Sequence, residues 1–184
     1  MNNGKSYFTN ELICRMSNQI CIGSSQKWDG SAAAKEAIDS IKSELTEKPT
    51  FIFVFTTIHY KNQSKEILNN VINEISSEVP IVGGTVPGFI TKSGVFARGI
   101  VVVTYRLEDS VAFTVHADHT KRDPKKAALD IVNQINNNGI IDKYKTKILI
   151  EFIAGPTVPQ FPIIRRKKVI QSMLAGKILS FFGR

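Results

Sequence analysis

Residues 50–84 read TFIFVFTTIHYKNQSKEILNNVINEISSEVPIVGG, and the fold class follows from how this stretch divides. Thr50–Thr57 is an unbroken run of aromatic and β-branched residues, which is how a strand buried on both faces reads. After it, Ile67, Leu68, Val71, Ile72 and Ile75 recur at helical spacing and mark an amphipathic helix. Val79–Gly84 is a second short apolar run that ends in two glycines. A strand, a helix and a strand in this order form a right-handed crossover between parallel strands.

The flanks extend the pattern. Upstream, residues up to about 26 contain two strand-like pieces, of which QICIGSS at 19–25 is the clearer. A helix follows Trp28, with Ala34, Ala37, Ile38, Ile41 and Leu45 on one face and Asp29 or Ser31 as its cap. Downstream, residues 94–119 read as a long antiparallel hairpin turning at Arg106–Asp109. In its second strand Val111, Phe113, Val115 and Ala117 alternate with Ala112, Thr114, His116 and Asp118. A helix then starts at the Asp123–Pro124 cap, presents Ala128, Ile131, Val132 and Ile135, and stops at an Asn-Gly run.

Residues 147–153 form another apolar strand. An amphipathic helix is expected over 164–182, with Val169, Ile170, Met173, Leu174, Ile178 and Phe181 on its apolar face. This repeats the strand–helix order of 51–77 without a closing strand. The domain is therefore expected to be incomplete at its C-terminus, with the missing strand supplied by a partner. The fold class is α/β: a mixed, layered sheet with strand–helix–strand crossover units and a long antiparallel hairpin, the helices packed on the sheet.

Composition narrows the function classes. With 184 residues, 42% hydrophobic and 22% charged, the chain has the balance of a globular domain. No apolar run reaches the ~20 residues of a membrane span, and the N-terminus has no secretory h-region. Two cysteines, Cys14 and Cys21, make neither a disulfide framework nor a zinc set, which points to a reducing, cytoplasmic setting; no cofactor is expected. The net charge of +8 invites a nucleic-acid reading. The basic residues are scattered, however, apart from Arg165–Lys168, and no aromatics interleave with that run.

The glycines of VPIVGGTVPGF, residues 79–89, allow two readings. Neither phosphate-loop pattern is present: Phe89 follows Gly88 where a lysine is needed, and G-x-G-x-x-G is absent, which disfavours phosphate binding. One reading is structural: Gly83 and Gly84 end a strand and Pro87–Gly88 makes a turn with Gly88 at positive φ. The other places a ligand at the C-terminal ends of two strands, where Thr56, Thr57, His59 and Thr85 offer polar partners beside free amides. His116, Asp118 and His119 lack a further metal ligand. Cys21 reads as a small core residue.

Three stretches together, residues 20–39, 49–60 and 79–105, resemble the N-terminal FIST domain. The residues that carry the likeness are Gly23, Ser24 and Ser25, then Trp28 and Asp29, then Thr56, Thr57 and Tyr60. The last group is Gly83, Gly84, Thr85 and Gly88. The resemblance spans about residues 18–182, so the domain is taken as 18–184, with 1–17 as an N-terminal extension. It implies an intracellular sensory domain that binds a small ligand such as an amino acid or a related metabolite. Ser24, Ser25, Thr56, Thr57, His59, Gly83, Gly84, Thr85 and Gly88 are its expected ligand-binding residues. The expected partners are the ligand and a C-terminal FIST half or a second copy, with neither nucleic acid nor membrane. Phe89 stands where the family carries an acidic residue. A hydrolase or transferase using Ser24, His59 or His116, and a non-catalytic interaction module, are the rival readings.

Overall fold

The computed structural model describes residues 18–118, 122–152 and, as backbone, 179–182. The chain divides after Ala112 into two compact units. Among the described residues no helix is long and apolar enough to cross a membrane.

The first unit is a four-stranded mixed sheet with two helices on one face. Its elements in chain order are β1 (Gln19–Ser25), α1 (Gly30–Lys42), β2 (Phe51–Thr57), α2 (Ser64–Glu74) and β3 (Ile81–Val86), then β4 (Phe89–Thr91), β5 (Gly94–Phe96) and β6 (Ile100–Arg106). A 3₁₀ turn, Ile58–Gln63, leads into α2. The sheet order is β1-β6-β2-β3, while β4 and β5 form a separate short hairpin. β6 is antiparallel to both β1 and β2, and β2 is parallel to β3. Consequently β1, β2 and β3 all run the same way and end at the same edge. One row there joins all four strands: Ser25 and Thr56 both face Ile100, and Thr56 faces Thr85.

The crossover expected over 50–84 is present. Its helix buries Ile67 and Val71, while Leu68 is exposed. α1 presents Ala33, Ala34, Ala37, Ile38 and Ile41 to the same core, against Cys21, Ile52, Val54, Ile100 and Val102. Each fully buried Ile in that layer contributes ~1.5–3 kcal/mol. The alanines bring α1 very close to β1: a Cβ on Gly23 would stand 1.8 Å from the Ala37 carbonyl oxygen. The other face of the sheet is aromatic. Phe51 stacks on Tyr105 with ring centroids 4.5 Å apart, and Phe53 meets both rings edge-on.

Three sequence expectations change here. β3 does not stop at the glycines but runs through Gly83, Gly84 and Thr85 to Val86. Positive φ falls on Gly94 and Gly99 and not on Gly88, so Pro87–Gly88 is not the expected turn. The long hairpin over 94–119 is also replaced. β6 is a central strand whose two edges are taken by β1 and β2, so no edge remains for residues 111–117. The antiparallel hairpin among the described residues is the short β4–β5 pair.

In the second unit α3 (Pro124–Asn137) starts on the Asp123 carboxylate, which accepts the Lys126 amide at 2.9 Å. Its buried Ala128, Val132 and Ile135 pack with Phe113, Val115 and Leu149. The segment around His116 is held by a side chain and not by a strand: the Gln134 amide donates to the His116 carbonyl at 2.8 Å. β7 (Ile148–Glu151) pairs in parallel with β8 (Leu179–Phe182). Phe181, expected on a helix, therefore lies in a strand. The rest of that helix and the basic run Arg165–Lys168 lie outside the described residues, as do residues 1–17.

Candidate functional site

β1 ends at Ser25, and four residues carry the chain into α1. This connection is held at each step. The Tyr60 hydroxyl donates to the Lys27 carbonyl. The Lys27 amide donates to Ser25 Oγ at 3.2 Å. Asp29 Oδ1 accepts the Ala32 amide at 2.8 Å and caps the helix, and the Gly30 amide donates to Gln63 Oε1. Trp28 is 76% exposed and carries the Arg98 guanidinium 3.6 Å above its ring. The loop is thus rigid and polar, with an aromatic surface outside.

The β4–β5 hairpin supplies the opposite wall. Phe89 and Phe96 face each other across it, with ring centroids 5.4 Å apart. Gly99 sets how closely the hairpin lies to β1. Its φ is +151°, and a Cβ there would stand 2.5 Å from the Phe89 ring and 2.7 Å from the Ser25 carbonyl oxygen. No other residue fits that position without moving the hairpin.

Between loop and hairpin lies a cleft of about 470 Å³. Ser24 and Ser25 line it from the end of β1, Gln26 and Lys27 from the connection and Glu36 from α1, with Phe89, Ser93 and Phe96 opposite. A volume of several hundred Å³ that joins two aromatic rings to six polar or charged side chains suits a small polar organic molecule. The Ser25 hydroxyl donates to the Glu36 carboxylate, and Lys27 Nζ stands 3.5 Å from its other oxygen. The Ser25 hydrogen bond, and to a smaller extent the Lys27 charge, hold Glu36 below the ordinary carboxylate range. Glu36 is therefore a charged acceptor at neutral pH.

Of the expected site residues, Ser24 and Ser25 line the cleft. Thr56 is buried in the row it shares with Ser25. Thr57 is fully buried: its Oγ1 accepts the Gly99 amide at 3.1 Å and lies 3.2 Å from His59 Nδ1. The Thr57 hydroxyl thus ties β2 to the glycine that places the hairpin. Gly83, Gly84 and Thr85 lie on β3, the far edge of the sheet from β1. A Cβ at Gly83 would meet the Val54 carbonyl oxygen at 1.7 Å, whereas one at Gly84 would meet nothing within 4 Å. Gly88 lets the Phe96 carbonyl approach: a Cβ there would be 2.6 Å from it. Cys21 is buried and its thiol is pushed up by burial. Among the described residues no three His, Cys, Asp or Glu side chains come together to hold a metal ion.

Lys27, Glu36, Ser93 and Phe96 were not singled out by sequence reasoning. Glu36 sits on the exposed face of an amphipathic helix and reads there as an ordinary solvated charge. Only its contact with Ser25, eleven residues away, marks it. Phe89, which takes the place of an acid in the resemblance, lines the same cleft as Glu36.

A family model described as the FIST N domain matches residues 50–172, well over half of the chain, and the chain belongs to that family. No curated protein matches the chain. The matched segment contains the hairpin wall of the cleft, and the Ser24–Glu36 wall precedes it.

Proposed function

We propose that this FIST N domain is a sensory module that binds a small metabolite, an amino acid or a relative of one, in the cleft between the β1–α1 loop and the β4–β5 hairpin. One observation carries the reading. The cleft lies at the C-terminal end of β1, where the chain leaves the sheet for α1, and strand ends of this kind are where open α/β sheets offer ligands free backbone and loop groups. Its chemistry is suited to such a ligand. Lys27 and Glu36 present opposite charges, Ser24, Ser25 and Ser93 present hydroxyls, and Phe89 and Phe96 present apolar surface.

The reading is of binding and not of turnover. The Ser25 hydroxyl has a carboxylate partner, but that carboxylate is held low and is a weak proton acceptor. The protein is read as cytoplasmic from its cysteine usage.

Calorimetric titration with a panel of amino acids and their decarboxylated and deaminated relatives tests the proposal. Ser93→Trp, at an exposed hairpin position that lines the cleft, should abolish the binding seen with the parent and leave thermal unfolding unchanged. Binding that survives this variant intact would place the ligand elsewhere.

A further inference from the structure

The Lys27–Glu36 pair differs from the other ion pairs of the first unit. Lys42–Glu74, Lys48–Glu78 and Arg106–Glu47 all stand within hydrogen-bond distance. Lys27 Nζ is 3.5 Å from Glu36, outside good hydrogen-bond range, and both side chains are about half exposed. A pair of that kind contributes little and is readily separated. Yet Glu36 itself is well placed. Its Oε2 is fixed by the Ser25 hydroxyl, and Ser25 is anchored in a buried strand end and is only 5% exposed. The result is one anionic acceptor held at one oxygen by Ser25 and only loosely covered by one half-exposed cation.

The surroundings define what could replace that cation. The Phe89 and Phe96 rings line the same cleft. They accept an apolar body and also favour a positive charge at their faces. Among the side chains lining the cleft, Glu36 is the single acid and Lys27 the single base. Resting on the assignment of the cleft as the ligand site, we propose that Glu36 is the acceptor for a cationic ligand group, an organic ammonium on an apolar body, which enters by displacing Lys27. Lys27 then acts as a competitor for the site and sets a threshold for occupancy. Freed from Glu36, its ammonium meets any anionic group the ligand carries.

This exchange has a signature that simple contact lacks: removing Lys27 strengthens the binding of a cation. The test uses two probes of one shape, phenethylamine and 3-phenylpropionate. Trp28, the single tryptophan of the chain, is the fluorescence reporter next to Lys27, and calorimetry gives the constants. The parent should bind phenethylamine saturably. Glu36→Gln should weaken that binding about tenfold or more, the scale of a charge-assisted hydrogen bond. Lys27→Met should tighten it several-fold.

Unchanged phenethylamine affinity in Glu36→Gln overturns the proposal, and so does weaker binding in Lys27→Met. Preference for 3-phenylpropionate in the parent, lost in Lys27→Met, also overturns it, while leaving the cleft as the ligand site. No saturable phenethylamine binding at millimolar concentration overturns it as well. The amino-acid panel with Ser93→Trp then decides separately whether the cleft binds a ligand at all.

Discussion

Gly83 and Gly84 are adjacent in sequence and opposite in consequence. In β3 a Cβ on Gly83 would stand 1.7 Å from the Val54 carbonyl oxygen and 2.6 Å from the carbonyl carbon. Backbone atoms cannot step aside as a side chain can, so Gly83→Ala forces β3 away from β2 by more than an ångström. Overpacking of this kind costs about 1–3 kcal/mol. The displaced ladder then loses hydrogen bonds of about 0.5–1.5 kcal/mol each. A total near 3 kcal/mol lowers Tm by roughly 6–12 °C in a chain of this size. Gly84→Ala meets nothing within 4 Å and has no positive φ to abandon. It should be neutral, or stabilise by about 0.4–1 kcal/mol through the unfolded chain. Thermal and urea unfolding of both variants, followed by circular dichroism, give the comparison. Equal stability of the two variants would refute the reasoning, as would a greater loss at Gly84.

Thr57→Val should cost about 1–3 kcal/mol in urea unfolding, because it leaves the buried Gly99 amide without its acceptor. A loss below measurement error would show that Thr57 does not hold the hairpin hinge. Tyr60→Phe frees the Lys27 carbonyl and should weaken ligand binding more than it lowers Tm; equal effects on both would contradict a role in holding the loop. Glu36 titrates below its ordinary value of 4.5 in the folded chain. Its contribution to stability is therefore complete above that ordinary value and is lost as pH falls through the lowered one. Glu36→Gln should lower the neutral plateau of a stability–pH curve and flatten its acid limb below about pH 4.5, the two curves converging at low pH. An identical acid limb in parent and variant would contradict this.

The strand–helix–strand unit was legible because each of its segments has one period and one fate. Phe51–Phe55 is apolar throughout, and Ile67 and Val71 share a helix face that the core uses. The glycines misled, because a glycine pair marks both a turn and a strand pressed against a neighbouring backbone. Sequence alone cannot show the Val54 carbonyl that Gly83 meets. Residues 111–117 alternate as a strand does, but a strand needs a free edge, and both edges of β6 are occupied. Two of the eight residues that line the cleft, Ser24 and Ser25, were legible as site residues. The rest include Glu36, eleven residues on, and Phe89, Ser93 and Phe96, more than sixty residues away. Their meeting depends on Gly99 and the row Ser25–Ile100–Thr56, which are products of sheet register.

The central claim is that this cleft is where the chain meets its ligand. Amide-resolved nuclear magnetic resonance during titration with amino acids and their amine and carboxylate relatives tests it most directly. The account predicts saturable shifts concentrated at Ser24–Lys27, Glu36, Phe89, Ser93 and Phe96, with Trp28 and Gly99 following as their neighbours. Saturable shifts centred instead on Gly84 and Thr85 at the β3 edge, with the cleft amides unmoved, would contradict it.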